Sequence, residues 1–200
     1  MIEAPGWLST RSCGEPKRIL IEHAKNVAKN GAVLELGALF GSTTQILANN
    51  LDPTCNIFVI DLWFDVEIKK LPQVQNTILK KIIGESDKDV IKGDNVYKWW
   101  KFFTNDFTSI THYRQDVINV DKSLLPQFDL IIQDAQHTYE GILEELEYWW
   151  PKLKSKGILI IDDYNNDLYP GLVQATKEFF AKNEYATKIP TDSFLLIVTK

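Results

Sequence analysis

The stretch from Phe128 to Asp163, FDLIIQDAQHTYEGILEELEYWWPKLKSKGILIIDD, constrains the fold of this chain more than any other. Asp129-Leu130-Ile131-Ile132 and Gly157-Ile158-Leu159-Ile160-Ile161 are short apolar runs without polar alternation, the pattern of strands buried on both faces. Between them Leu143, Leu146, Trp149 and Trp150 recur at helical spacing, and Pro151 and Gly157 bracket the helix exit. Two buried strands joined by a helix are predicted to be parallel neighbours with a right-handed crossover. Their carboxyl ends then lie side by side, with Asp134 at one and Asp162 and Asp163 at the other. Three carboxylates on one edge repel unless a positive group sits among them. With His137 three residues after Asp134, the set points to a divalent-metal site beside a titratable base.

The rest of the chain repeats the strand–helix alternation. Pro16 can open a helix carrying Ile19, Leu20, Ala24 and Val27 to a stop at Asn30-Gly31. Ala32–Leu36 reads as a buried strand, Gly37–Gly41 as a turn, and Ser42 or Thr43 as the start of a helix ending near Asn49-Asn50. Asn56–Asp61 is a second buried strand, and Ser109–Tyr113 a third. A helix is expected over Gly171–Asn183, then a hairpin of Tyr185–Ile189 and Phe194–Val198 joined by Pro190-Thr191-Asp192-Ser193. The prediction is one α/β domain over residues 1–200: a doubly wound, mostly parallel seven-stranded, Rossmann-like sheet with an antiparallel strand at its edge, contributed by the C-terminal hairpin. Residues 64–108 are too long for a plain crossover helix and read as a helix plus an inserted cap. The aromatics there (Tyr97, Trp99, Trp100, Phe102, Phe103) suit core packing more readily than a substrate wall.

Composition narrows the function. A 200-residue chain with 44% hydrophobic residues can bury a sizeable core. Its formal charge of −5 argues against broad binding of a nucleic-acid backbone, which needs a basic surface. Two cysteines, Cys13 and Cys55, are too few for a disulfide scaffold and suit a reducing compartment. No run is long enough to span a membrane, and the N-terminus lacks the pattern of a secretory signal. A cytoplasmic protein with no membrane partner is expected. Aromatics read as exposed suggest a homodimer contact.

Ligands of doubly wound sheets bind beyond the carboxyl ends of the strands. There Glu35-Leu36-Gly37-Ala38-Leu39-Phe40-Gly41 follows the first strand and opens a helix. Glycine lets the backbone approach a ligand, and the helix start at Ser42-Thr43 can hold a carboxylate. The loop is not GxGxxG, which disfavours a dinucleotide. Asp61 ends the second strand, where an acid can accept both hydroxyls of a ribose, and Asp116 follows the third, where it can meet an adenine amino group. Gly37, Gly41, Asp61 and Asp116 together suit a nucleoside with an amino-acid tail.

The segments VLELGALFGSTT, VIDLW, FDLIIQDAQHTYEG and WWPKLKSKGILIIDDY, with the closing hairpin, resemble a class I S-adenosylmethionine-dependent methyltransferase. The likeness is strongest to the branch of macrocin-type sugar O-methyltransferases and cephalosporin-hydroxylase-like proteins. That resemblance implies that Glu35, Gly37, Ala38, Gly41, Ser42 and Thr43 surround the methionine part of S-adenosyl-L-methionine, with Asp134 alongside. It implies that Asp61 holds the ribose, that Leu62 and Trp63 lie against the adenine, and that Asp116 and Val117 close its far end. Asp134, Asp162 and Asp163 would bind a divalent cation such as Mg²⁺, with His137 as general base. The family usually has glycine after the first metal acid, where this chain has Ala135 followed by Gln136. The expected partner is a small hydroxylated molecule such as a sugar or glycosylated metabolite. Two other readings keep the scaffold: an iron hydroxylase, which would generally ask for two histidines where only His137 is well placed, and a non-catalytic binding protein.

Overall fold

The computed structural model describes residue 4 and residues 14–67, 90–182, 186–189 and 194–200. Alternating buried strands and amphipathic helices make a single seven-stranded sheet. In chain order the elements are α1 (Glu15–Asn26), β1 (Ala32–Leu36), α2 (Ser42–Asn50), β2 (Asn56–Asp61), β3 (Val66–Glu67), β4 (Val90–Ile91), α3 (Gly93–Thr104), β5 (Ile110–Arg114), β6 (Phe128–Gln133), α4 (Tyr139–Trp149), β7 (Leu153–Ile161), α5 (Pro170–Ala181), β8 (Ala186–Lys188) and β9 (Leu196–Thr199). The strand order is β5-β2-β1-β6-β7-β9-β8. The first five strands are parallel, and β9 runs antiparallel to both β7 and β8.

The antiparallel strand is therefore internal, and the edge belongs to β8. The apolar burial of Leu196, Ile197 and Val198 explains this: β9 is covered on both faces, whereas Lys188 and its neighbour Thr187 on β8 are exposed, as suits a strand at an edge. The predicted connecting residues Pro190–Ser193 lie outside the described residues.

Residue parity in the strands divides the core. Val33, Ile57, Val59, Leu130 and Ile132 face α1, α2 and α3, while Leu34, Leu36, Ile60, Ile131 and Ile161 face α4 and α5. Two consequences reach the site. Glu35 shares the face of Val33 and points toward α2, and Gln133 shares the face of Ile131 and points toward α4. Helix α4 starts where Thr138 accepts a hydrogen bond from the Gly141 N–H at 3.2 Å, a cap worth about 1 kcal/mol. It ends in Trp149, 2% exposed, whose indole Nε1–H donates to the Val117 carbonyl.

The expected cap falls partly on residues 68–89, outside the described residues. What is described between β2 and β5 is a two-stranded antiparallel pair, β3 with β4, followed by α3. Helix α3 is the crossover helix of the β2–β5 connection and shares a core cluster with the main sheet through Val96 and Trp100. Trp100 and Phe103 are buried and Phe102 is half exposed, so most of the aromatic group serves packing.

Candidate active site

The carboxyl ends of β1, β2, β5, β6 and β7 meet around a cavity of about 300 Å³. Backbone hydrogen bonds continue past the strand ends and lock the loops together. The Gly37 N–H donates to Ile60 O, the Asp134 N–H to Leu36 O and the Asp162 N–H to Gln133 O, at 2.9, 2.9 and 3.0 Å. Gly37, at φ +82°, lies so close to the β6 loop that a Cβ there would sit 2.2 Å from the Asp134 carbonyl oxygen. Glycine is needed both for the left-handed turn and for this approach of two backbones.

Of the residues predicted for the cofactor, Gly37, Ala38, Ser42, Thr43, Asp61, Leu62, Asp116, Val117 and Asp134 line this cavity. Ser42 and Thr43 belong to the first turn of α2, the positive end of that helix. Asp61 is more committed than expected. Its Oδ2 accepts from the Ala38 and Leu39 N–H groups at 2.7 and 2.8 Å, and its Oδ1 from the Trp63 N–H. It clasps the glycine turn, which leaves less of the carboxylate for a ribose. Burial raises its pKa, and the three backbone donors oppose that shift.

Three predicted residues do not reach the cavity wall. Trp63 is turned into the core: φ +48° at this residue reverses the side chain, the indole N–H donates to Leu39 O at 2.9 Å, and the ring packs on Tyr97 and Trp100. Its neighbours Leu62 and Phe64 line the cavity instead and are 52% and 63% exposed. Gly41, at φ +94°, caps α2 and faces Trp100 and Thr104. Glu35 is fully buried behind the turn, where its Oε2 accepts from Thr44 Oγ1 at 2.6 Å while Oε1 has no partner. Burial lifts its pKa to about 8, so the group is a neutral acid at pH 7.

The acids of β6 and β7 converge as expected. Asp134, Asp162, Asp163 and His137 all line the cavity. His137 Nε2 lies 3.6 Å from Asp134 Oδ1 and 3.5 Å from Asp163 Oδ2. Asp134, His137 and Asp163 each offer a ligand atom, and these lie within 4.8 Å of one another. Asp162 stands beside this trio rather than in it, because its Oδ1 accepts the N–H of Asp163 at 2.9 Å. Burial, then the charges of Asp162 and Asp163, hold the Asp134 carboxyl well above the usual range. A site that crowds carboxyl groups together beside a buried imidazole nitrogen without a hydrogen bond has the hard oxygen donors that fit a divalent cation.

Tyr169, absent from the sequence-based set, completes the wall. Its ring lies 4.4 Å from that of His137, tilted by 38°, and burial followed by the surrounding aspartates raises its phenol pKa. It sits 32 residues from His137 on the turn before α5, where nothing local marks it. Ala135 and Gln136 also face the cavity.

The comparisons with known proteins bear on the family and the fold. A methyltransferase-domain family model matches residues 34–164, from β1 through the acids after β7. No curated protein matches the chain. Among solved structures, CalS11, a TDP-rhamnose 3'-O-methyltransferase of calicheamicin biosynthesis, superposes with a TM-score of 0.59 at 18% identity, covering 92% of this chain and 76% of that one. The O-methyltransferase NovP gives 0.62 at 15% identity, with 93% and 78% covered. An rRNA methylase from Streptococcus thermophilus gives 0.60 at 13% identity, with 93% and 95% covered. At such identities these structures share the fold alone. Among the described residues no helix is long and apolar enough to cross a membrane. The family match spans more than half of the chain and contains the glycine turn and the converging acids, and the protein therefore belongs to the methyltransferase-domain family as a class I S-adenosylmethionine-dependent methyltransferase.

Proposed function

We propose that the protein is a metal-assisted O-methyltransferase of the macrocin-type branch, acting on a hydroxyl of a small molecule such as a sugar or glycosylated metabolite. One observation carries the reading: the acid–histidine cluster and the glycine turn open onto the same cavity. Asp134 and Asp163, with Asp162 alongside, would hold the cation, and the rim from Gly37 to Thr43 with Asp61, Leu62, Asp116 and Val117 would seat the methyl donor. When bound, a divalent cation supplies Lewis acidity that lowers the pKa of an acceptor hydroxyl.

The chain's own residues account for the rest. His137 Nε2, pointed at the acids, takes the hydroxyl proton. Asp134 and Asp163 face that nitrogen at 3.6 and 3.5 Å and stabilise the imidazolium that results. Tyr169 packs against the ring and fixes its plane. Leu62 and Phe64 supply the apolar rim that excludes water from the donor side. The formal charge of −5 and the acidic rim favour a small acceptor over a nucleic acid.

Calorimetry with S-adenosylhomocysteine, Mn²⁺ titration followed by paramagnetic resonance, and transfer of labelled methyl to a panel of sugar nucleotides test this. Absence of Mn²⁺ binding would reject metal assistance. For His137→Ala the expected result is retained Mn²⁺ binding with a transfer rate lowered about 10²-fold or more. Loss of Mn²⁺ binding in that variant would make His137 a ligand and overturn its role as base.

A further inference from the structure

Behind the site lies a buried polar pair that the mechanism does not use. Glu145, on the inner face of α4, is 1% exposed, and Gln133, at the end of β6, is 2% exposed. Neither belongs there on apolar grounds, since their neighbours are Leu36, Ile131, Leu146, Trp149 and Leu159. Burying a carboxyl and an amide in such company is costly unless they are bonded. Gln133 Nε2–H donates to Glu145 Oε2 at 2.6 Å and to the Gln136 carbonyl at 3.1 Å. The Gln136 backbone N–H also faces the Glu145 carboxyl. Both polar ends of residue 136 are thus addressed by this pair.

The helix surface around it is shaped to match. Gly141 lies one turn before Glu145 on the same face of α4, and a Cβ there would come within 2.9 Å of Gln136 Cβ and of Thr138 Oγ1. Residue 136 is seated in a slot made by Gly141 and closed by Glu145. Asp134 lies two residues before it and His137 one residue after.

We propose that Glu145 is a positioning residue: through Gln133 and the main chain of Gln136 it fixes the loop that presents Asp134 and His137 to the cavity. Its consequence for metal rests on the reading of Asp134 and Asp163 as ligands, and its consequence for the loop does not. Outer groups that orient ligands commonly change metal affinity 10–100-fold when removed, and Glu145 stands in that relation to Asp134 through residue 136.

The test uses two variants of the full chain. Glu145→Met keeps the volume and removes every acceptor; Glu145→Gln keeps the shape and one acceptor. Amide hydrogen exchange at Gln136 reads the loop directly, Mn²⁺ titration reads the acids, and calorimetry with S-adenosylhomocysteine reads the glycine turn, which keeps its own bonds to Ile60 and Asp61. The expected result for Glu145→Met is a folded protein whose Gln136 amide exchanges about tenfold faster or more, whose Mn²⁺ affinity falls about tenfold or more, and whose S-adenosylhomocysteine affinity is unchanged. Glu145→Gln should fall between Glu145→Met and the wild type, and it carries the test alone should the methionine variant not fold. Unchanged exchange and unchanged Mn²⁺ affinity in a folded variant would overturn the proposal, as would equal losses of both ligands. A wild type that binds no Mn²⁺ would refute the metal reading, and the exchange rates would still decide the role of Glu145.

Discussion

Glu35 provides a quantitative test of how the glycine turn is held. In the unfolded chain it ionises near its ordinary value of 4.5, and in the folded protein it keeps its proton to about 8. Between those values the native state binds one proton more than the unfolded state, so stability falls as pH rises, by about 1.4 kcal/mol per pH unit, and levels off above about 8. From pH 4.5 to pH 7 the loss attributable to this one group is about 3 kcal/mol. Glu35→Gln removes the titration while keeping an oxygen to accept from Thr44. The variant carries an offset of its own, because a buried amide donor without a partner costs about 1–3 kcal/mol, but that offset does not depend on pH. Urea melts of both proteins at half-unit steps from pH 5 to 8.5 therefore give a difference in unfolding free energy that moves in favour of the variant by about 3–4 kcal/mol across the range. Asp134 and Glu145, whose pKa values are also raised, act in both proteins and largely cancel. Parallel stability curves would refute the reasoning, since they would mean that Glu35 is ionised in the folded state or is reached by water.

Other perturbations test neighbouring parts of the site. Gly37→Ala places a methyl 2.2 Å from the Asp134 carbonyl at φ +82°, so S-adenosylhomocysteine affinity should fall more than about tenfold by calorimetry and stability by about 2 kcal/mol or more in urea melts. Asp134→Asn removes one of three crowded carboxyls, so Mn²⁺ binding should be lost while the melting temperature measured in chelator rises; a lower melting temperature would contradict the repulsion inferred here. Trp63→Ala should destabilise the protein by about 3–5 kcal/mol, whereas Leu62→Ala should barely change stability yet weaken S-adenosylhomocysteine binding, a contrast that separates the buried residue from the one on the cavity wall.

The parts of the site that were legible in the sequence are those determined by strand ends. Apolar runs announce buried strands, a buried parallel sheet has a ligand-binding edge, and Asp61, Asp116, Asp134 and Asp163 each end or follow a strand, so their convergence follows from topology. Trp63 was illegible because one backbone angle reverses it. The left-handed turn is set by the grip of Asp61 on the residue 63 N–H, a tertiary event with no periodicity to betray it. Tyr169 was missed because it reaches His137 across 32 residues of chain. Glu145 did carry a signal: Ile142, Glu145, Leu146 and Trp149 form one helical stripe, and an acid in an apolar stripe demands a buried partner. The position of β9 inside the sheet also depends on which strand is apolar on both sides, and Leu196–Val198 carried that information.

Five described residues with positive φ shape this end of the sheet: Gly37, Leu39 and Asp163 on the cavity wall, and Gly41 and Trp63 behind it. Three of them carry side chains that resist such a conformation, each at a cost of about 1–3 kcal/mol, held by the surrounding hydrogen bonds. The turn proposed to seat the methyl donor is thus already held in place by the fold, and docking there would demand little further ordering of the main chain. Stability has been exchanged for readiness, so residues such as Leu39, where glycine would relax the turn, are places where a sturdier protein would be a poorer receptacle.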